Sequence, residues 1–334
     1  MKKIYWQLPF LVLLIVGTIL IVRGQNSTPY QYDQGMIFGT VYNVKYQYDQ
    51  DLKEEIEKEL AKVDASLSPF NKNSVITHIN ENTDMKADEM FMDVFALAET
   101  ISRDTNGDFD ITVAPLVNAW GFGFKNGIEP TEHVIDSLRE IVGYEKVRLQ
   151  NGMVVKKDPR VQLDCSAIAK GYAVDRVAAV LQRHGIENYL VEIGGEIVTK
   201  GFNPDRLPWH ISVNKPIDDA TNMKNETQVI LNVTDKAMAT SGNYRNFYYK
   251  DGKKYAHTIN PKSGRPIQHN ILSATVLTDR CAVADAYATA FMVMGLKEAQ
   301  QVLKNHPELM AYIIYSDSEG KNAVWHSSKL NLEN

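Results

Sequence analysis

From Leu8 to Val22 the chain carries no charged side chain, with Lys2 and Lys3 ahead of the run and Arg23 and Gly24 closing it. Such a run at a terminus has no stable place on the surface of a body that folds in water. It therefore divides the molecule into a membrane-directed segment and everything after it. Its length suits the apolar core of an export signal; with Ile4 to Gln7 included it nears the roughly 17–25 residues of a membrane span. In either case the two lysines stay cytoplasmic and the body crosses. No Ala-x-Ala cleavage triplet is evident and no cysteine follows the run. Residues 1–24 are therefore read as an uncleaved signal anchor, with a cleaved signal peptide as the alternative, and the body is expected at the periplasmic face of the inner membrane.

The body reads as one soluble domain. Of the 334 residues, 44% are apolar and 23% charged, which fits neither general disorder nor a polytopic membrane protein. A net charge of −5 without a long Lys/Arg block lacks the electrostatic footprint of a nucleic-acid binder. Two cysteines, Cys165 and Cys281, are too few for a disulfide scaffold or a Cys-rich zinc site.

Residues 25–35 are polar and read as a tether, with folding starting near Met36. Leu52, Ile56, Leu60, Val63 and Leu67 recur at helical spacing until Ser68-Pro69, and further helices are predicted over 88–103, 168–184, 282–294 and 297–305. Strands are predicted over 37–46, 161–163, 189–193, 209–213, 228–233, 244–249, 255–259, 273–278 and 311–315, several joined by turn residues such as Asp251-Gly252. Helices and strands mix without strict βαβ alternation, so the expected class is α+β with mainly antiparallel sheet, one domain over 36–330.

Asp285 and Thr289 sit four apart and share a helix face, so a carboxylate and a hydroxyl point together, a pairing suited to a hard cation such as Mg²⁺. The plainer reading is an acidic residue in a first helical turn. Asp164-Cys165-Ser166-Ala167-Ile168-Ala169-Lys170-Gly171 stands where a strand gives way to a helix; amides and a lysine there can hold phosphate, or Asp164 and Ser166 can be ordinary caps. Gly194-Gly195 and Ala239-Thr240-Ser241-Gly242 read as small-residue bends that let backbone approach a ligand. His257 can accept a proton or serve as a structural histidine. The aromatic and glycine-rich stretch from Phe109 to Gly123 reads as a functional loop. No G-x-S-x-G, H-E-x-x-H or C-x-x-C occurs.

Taken in order, Phe109-Asp110-Ile111-Thr112-Val113, Trp120-Gly121-Phe122-Gly123, Ala167 to Asp175, Val191 to Glu196, Ala239-Thr240-Ser241-Gly242, His257-Thr258-Ile259-Asn260-Pro261 and Ala284-Asp285-Ala286 resemble the ApbE family of FAD:protein FMN transferases. The likeness runs from about Met36 to Tyr315. It implies a domain that binds FAD, with Mg²⁺ held by the Ala167 carbonyl and the side chains of Asp285 and Thr289. It also implies a flavin-nucleotide site lined by Phe38, Phe70, Asp108, Phe109, Asp110, Asp164, Lys170 and Ile259, with His257 as the catalytic histidine. One departure stands at the start, where this chain has Phe38-Gly39-Thr40 and the family often has Met-Gly-Thr. The implied reaction moves FMN from FAD onto a threonine hydroxyl of an acceptor protein, such as a membrane redox-pump subunit or another exported flavoprotein, and releases AMP. Alternatives are a Mg²⁺-dependent FAD pyrophosphatase and an exported flavin-binding protein without turnover.

Overall fold

The two periods in the sequence resolve into helices packed on a single large antiparallel sheet. The computed structural model describes residues 4–123, 129–218, 226–244, 247–250, 253–330 and 332, and the backbone alone at 4–6, 24–27, 250 and 253–254. The apolar N-terminal run lies in helix α1 (Ile4–Ser27), and its large side chains from Leu8 to Val22 are exposed. Among the described residues no helix is long and apolar enough to cross a membrane; the side chains of α1 are described over 7–23.

The expected tether is a strand for most of its length. β1 (Tyr30–Ile37) pairs with β2 (Thr40–Gln47) across Phe38-Gly39, both with positive φ (51° and 72°), as a two-residue hairpin turn requires. Polar residues hid this strand because it is a sheet edge: Asp33 is its one buried side chain, and Tyr46 Oη donates to it at 2.8 Å.

Helix α2 (Lys53–Leu67) buries Ile56, Leu60, Val63 and Leu67. The short α3 (Val75–Glu81) starts at Ser74, whose hydroxyl accepts the Thr77 amide, and α4 (Glu89–Asp104) starts at Asp88, which accepts from Phe91. After a 3₁₀ turn come α5 (Ala114–Ala119) and α6 (Glu132–Arg139), then the hairpin β3 (Val147–Gln150) and β4 (Met153–Lys156). Val161–Leu163, expected as a strand, forms none. The Asn80 side chain takes the place of a neighbouring strand, accepting from Leu163 N at 2.7 Å and donating to its carbonyl at 2.8 Å.

Helix α7 (Ala169–Arg183) follows, then β5 (Tyr189–Ile193), β6 (Glu196–Lys200), β7 (His210–Asn214), β8 (Thr227–Asn232), β9 (Ala237–Gly242), β10 (Phe247–Lys250), β11 (Lys253–Ala256), β12 (Ile259–Asn260), β13 (Arg265–Pro266) and β14 (Ile271–Thr278). The chain ends through α8 (Cys281–Met294), α9 (Leu296–Asn305), β15 (Met310–Ser316) and β16 (Asn322–His326). The turn predicted at Asp251-Gly252 lies outside the described residues. Ala239 to Gly242, expected as a bend, is instead strand: β9 runs between β6 and β14. Its small side chains let the alanine-rich α8 lie close.

The main sheet has the order β1-β2-β5-β6-β9-β14-β15-β16, antiparallel at every pairing. Side chains alternate between two cores. Val191, Ala239, Val276 and Ile313 face α7 and α8, whereas Leu190, Met238, Leu277 and Ile314 face Trp209, Val213 and Leu231 of the β7–β8 hairpin and its lead-in. The expected single α+β domain is thus a helix layer, a sheet and a small β layer, and the site lies where the chain passes from one side of the sheet to the other.

Candidate functional site

Helices α7 and α8 begin beside each other and cap one another. Ile168, before α7, supplies no side-chain cap. Instead the Gly171 amide donates to Asp285 Oδ2 of α8 at 3.0 Å, and Asp175 of α7 accepts the amides of Cys281 and Ala282 at 2.7 and 3.0 Å. Each carboxylate thus satisfies helix-start amides that have no partner in their own helix. Gly171 permits the approach: a Cβ there would lie 2.4 Å from the Cys281 carbonyl oxygen. Burial pushes the Asp175 carboxyl up to about 6 against the pull of those amides.

This exchange has a consequence for Ala167. The Gly171 amide, the usual donor to its carbonyl, is turned to Asp285, and among the described residues no backbone amide donates to Ala167 O. Ala167, Asp285 and Thr289 line one cavity of about 1560 Å³. Lys170 lines it too, its Nζ 2.5 Å from Glu196 Oε1 on β6. Glu196 is 3% exposed and, among the described residues, its Oε2 has no hydrogen-bond partner. Burial raises the carboxyls of both Glu196 and Asp285 despite the nearby ammonium. For Lys170, burial works downward but the two carboxylates outweigh it and hold the ammonium charged.

Two buried carboxyl groups thus share one ammonium. Beside it stand a carbonyl without an amide donor and a hydroxyl one turn along α8. These hard oxygens suit Mg²⁺. Among the described residues no three His, Cys, Asp or Glu side chains gather as a metal site.

The predicted nucleotide residues gather on the same cavity. Asp108 is paired with Lys262 at 2.9 Å. Asp110 accepts from the amide and hydroxyl of Thr112 at 2.8 and 2.7 Å, and burial pushes its carboxyl up to about 6. Asp164 accepts the Ser166 amide at 2.8 Å in the turn ahead of α7, so it shapes that turn rather than capping the helix. Phe109 and Ile259 are buried in the cavity wall, and Phe70 is 70% exposed at its margin. His257, between β11 and β12, also lines it. Phe38 alone among the predicted residues does not; its hairpin turn packs it against the main core.

The aromatic loop divides between two tasks. Trp120 donates from Nε1 to the Gly264 carbonyl at 2.8 Å and stacks on Tyr255, while Phe122, stacked on Tyr248, and Gly123 reach the cavity. Sequence reasoning assigned no role to Asp175 or Glu196. Each stands inside one of the motifs, but Asp175's partners, Cys281 and Ala282, lie on a distant element, and Lys170 meets Glu196 only through the packing of α7 on the sheet.

The chain and its fold have counterparts among known proteins. Residues 38–314 match the model of the ApbE family. The FAD:protein FMN transferase of Vibrio cholerae is 36% identical over 329 residues, covering 95% of this chain and 97% of that protein, and that of Haemophilus influenzae is 34% identical over 328 residues, covering 92% and 93%. The solved structure of the flavin transferase ApbE from Vibrio cholerae superposes with a TM-score of 0.81 at 35% identity, covering 90% of this chain and 98% of that one. The apo form of the Pseudomonas stutzeri flavinyl transferase ApbE gives 0.80 at 29% identity, covering 90% and 95%. With likeness of sequence and of fold running through both α7 and α8, the chain belongs to the ApbE family.

Proposed function

We propose that the protein is a Mg²⁺-dependent FAD:protein FMN transferase that attaches FMN to a threonine hydroxyl of an exported or membrane-bound acceptor and releases AMP. The observation that carries this reading is the exchange at the start of α7: an amide given to Asp285 leaves the Ala167 carbonyl for another partner in the cavity that Thr289 and Lys170 share. Magnesium bound there would neutralise the pyrophosphate and the charge that develops on it.

In this reading Ala167, Asp285 and Thr289 hold the cation. Lys170, fixed by Glu196, directs its ammonium at a phosphate oxygen. Asp108, Asp110, Asp164, Phe70, Phe109 and Ile259 seat the nucleotide. His257 takes the proton of the threonine hydroxyl as its oxygen bonds to the FMN phosphorus; the pyrophosphate bond to the AMP phosphate breaks and AMP departs with the bridging oxygen. The flavin is cargo, so no redox step falls to the protein.

The exposed apolar face of α1 fits a membrane anchor, with the body outside the cytoplasm. A reporter fused after the last residue should be active only if it works in an extracytoplasmic compartment.

The transfer itself is tested by incubating the protein with FAD, Mg²⁺ and candidate exported flavoproteins and weighing both products. An acceptor heavier by one FMN, with AMP released, supports transfer. FMN released free with no adduct would mean a pyrophosphatase, and unchanged FAD a binding protein.

A further inference from the structure

The main sheet is notched in its middle. β6 and β9 pair only as Ile197↔Met238 and Val198↔Ala237, because β6 starts at the tight Gly194-Gly195 turn, while β9 runs on beside β14 as far as Gly242. Past Met238, β9 has β14 on one side and, among the described residues, no paired strand on the other. Gly194, Gly195, Thr240, Ser241 and Gly242 all line the cavity, so the notch is part of its wall. Continued by two residues, the β6 register would set Gly195 opposite Thr240; a Cβ at Gly195 would meet nothing within 4 Å.

Bonds at the strand ends fix which way each main-chain group points. Residues of an antiparallel strand alternately turn their N–H and C=O toward one neighbour and then the other. Asn243, in register with Leu272, donates its amide to the Leu272 carbonyl at 3.2 Å, so Ser241 and Ala239 also face β14, whereas Gly242, Thr240 and Met238 face the line of β6. Thr199, donating to the Lys236 carbonyl at 2.9 Å, gives the same phase from the other side, with Ile197 meeting Met238. Met238 thus has its partner. Among the described residues, the N–H and C=O of Thr240 and Gly242 have none.

Donors and acceptors alternate along that edge. A phosphate, which only accepts, would be repelled by the carbonyls, whereas an extended main chain matches both groups. The edge also ends where a nucleophile must arrive. Asn243, the next residue, accepts at Oδ1 from Thr258 Oγ1 at 2.8 Å, and Thr258 follows His257.

We propose that an extended segment of the acceptor protein pairs with the edge of β9 at Thr240 and Gly242, continuing the line of β6, and so brings its threonine beside His257. The proposal rests on the transfer reading and names where its second substrate docks. From Thr240 to Gly242 the strand rises about 7 Å, so main-chain pairing fixes only a few acceptor residues. That sets their register and makes few demands on their side chains, so one enzyme can serve several acceptors.

The test uses the full chain with FAD and a short synthetic peptide spanning the threonine labelled in the transfer assay, that threonine replaced by valine so that no reaction follows. Hydrogen exchange at the amides of Thr240 and Gly242 should be unaffected by FAD and slow by at least about tenfold when the peptide is added, the scale of one main-chain hydrogen bond. The outer sheet edges, β1 and β16, should stay unchanged. Thr240→Pro removes an outward amide and leaves the β14 ladder intact; the KM for the reactive peptide should rise about tenfold, with the KM for FAD unchanged. If that variant does not fold, the exchange measurement decides alone. Slowing by FAD without peptide would give the edge to the flavin and overturn the proposal. Labelling that proceeds with no slowing at Thr240 or Gly242, or with slowing at β1 or β16 alone, overturns it and leaves transfer intact. If no acceptor is ever labelled, the transfer reading itself fails.

Discussion

Helix α7 bears two cations that meet buried glutamates, and the two meetings end differently. Arg176 reaches Glu59 Oε1 with Nε at 2.8 Å and Nη2 at 2.6 Å, while Lys62 Nζ lies 2.8 Å from Oε2, so both oxygens of that carboxylate have donors. Lys170 serves only Oε1 of Glu196, and among the described residues Oε2 is buried without a partner. Both glutamates are 3% exposed. Burial works upward on each, but at Glu59 the lysine and arginine outweigh it and lower the carboxyl, whereas at Glu196 burial prevails and raises it. One cluster is complete as protein and joins α2 to α7. The other is incomplete and opens on a cavity, which is what a site built for a cation and a phosphate requires.

The sharpest way to break this contrast is Asp285→Ala. It removes the one carboxylate among the proposed metal ligands, and Mg²⁺-dependent transfer per folded molecule should fall by about 10²–10³-fold; the Gly171 amide loses its acceptor, so stability should also drop by about 1–3 kcal/mol. Wild-type turnover at limiting Mg²⁺ would remove Asp285 from the site. His257→Ala should slow transfer by about 10²–10⁴-fold, or roughly 3–5 kcal/mol, as loss of a positioned base does. FAD binding should persist. A variant that melts early while its folded fraction transfers FMN normally would make His257 structural.

The complete cluster should respond in the opposite way. Glu59→Ala leaves Arg176 and Lys62 without their carboxylate and should cost about 3 kcal/mol, the lower end for a broken buried pair because Arg176 remains 29% exposed. The urea midpoint should drop while turnover per folded molecule holds; lost turnover in a normally stable variant would merge the two clusters into one function.

The smallest effect concerns His306, between Asp104 and Glu308 at 2.9 Å each. Burial pulls its pKa down, but the two carboxylates outweigh that and raise it. A raised folded pKa means the stabilisation is fully present below the unfolded value near 6.5 and is lost as pH rises through the folded value. His306→Gln should therefore be less stable than the wild type by roughly 0.2–1 kcal/mol in acid, with the gap closing in alkali. A gap that ignores pH would show the histidine acting by packing alone.

How much of this was legible varied by element. The spacing of Leu52 to Leu67 marked α2, because one face of that helix buries its apolar residues whatever lies opposite. β1 was not legible, since an edge strand can be as polar as a loop. β9 was misread because small residues suit both a bend and a strand lying under a tightly packed helix. Of the site, spacing alone put Asp285 and Thr289 on one helix face but left an ordinary first-turn acid as the plainer reading; it was the family resemblance that joined them to Ala167 as a metal site. Phe38 could not be placed, since a turn decides where its side chain goes.

The sequence by itself determined the apolar N-terminal run, the mixture of helix and strand, and the local pairs whose members lie within one turn. Those follow from period and side-chain chemistry, which act over a few residues. Only the tertiary structure decided that Gly171 gives its amide to Asp285 and that Glu196 meets Lys170 on one oxygen alone. Gly171 and Asp285 stand 114 positions apart, and no local pattern records that they meet; long-range packing of α7, α8 and the sheet fixes which amide, carbonyl and carboxylate are left for a ligand.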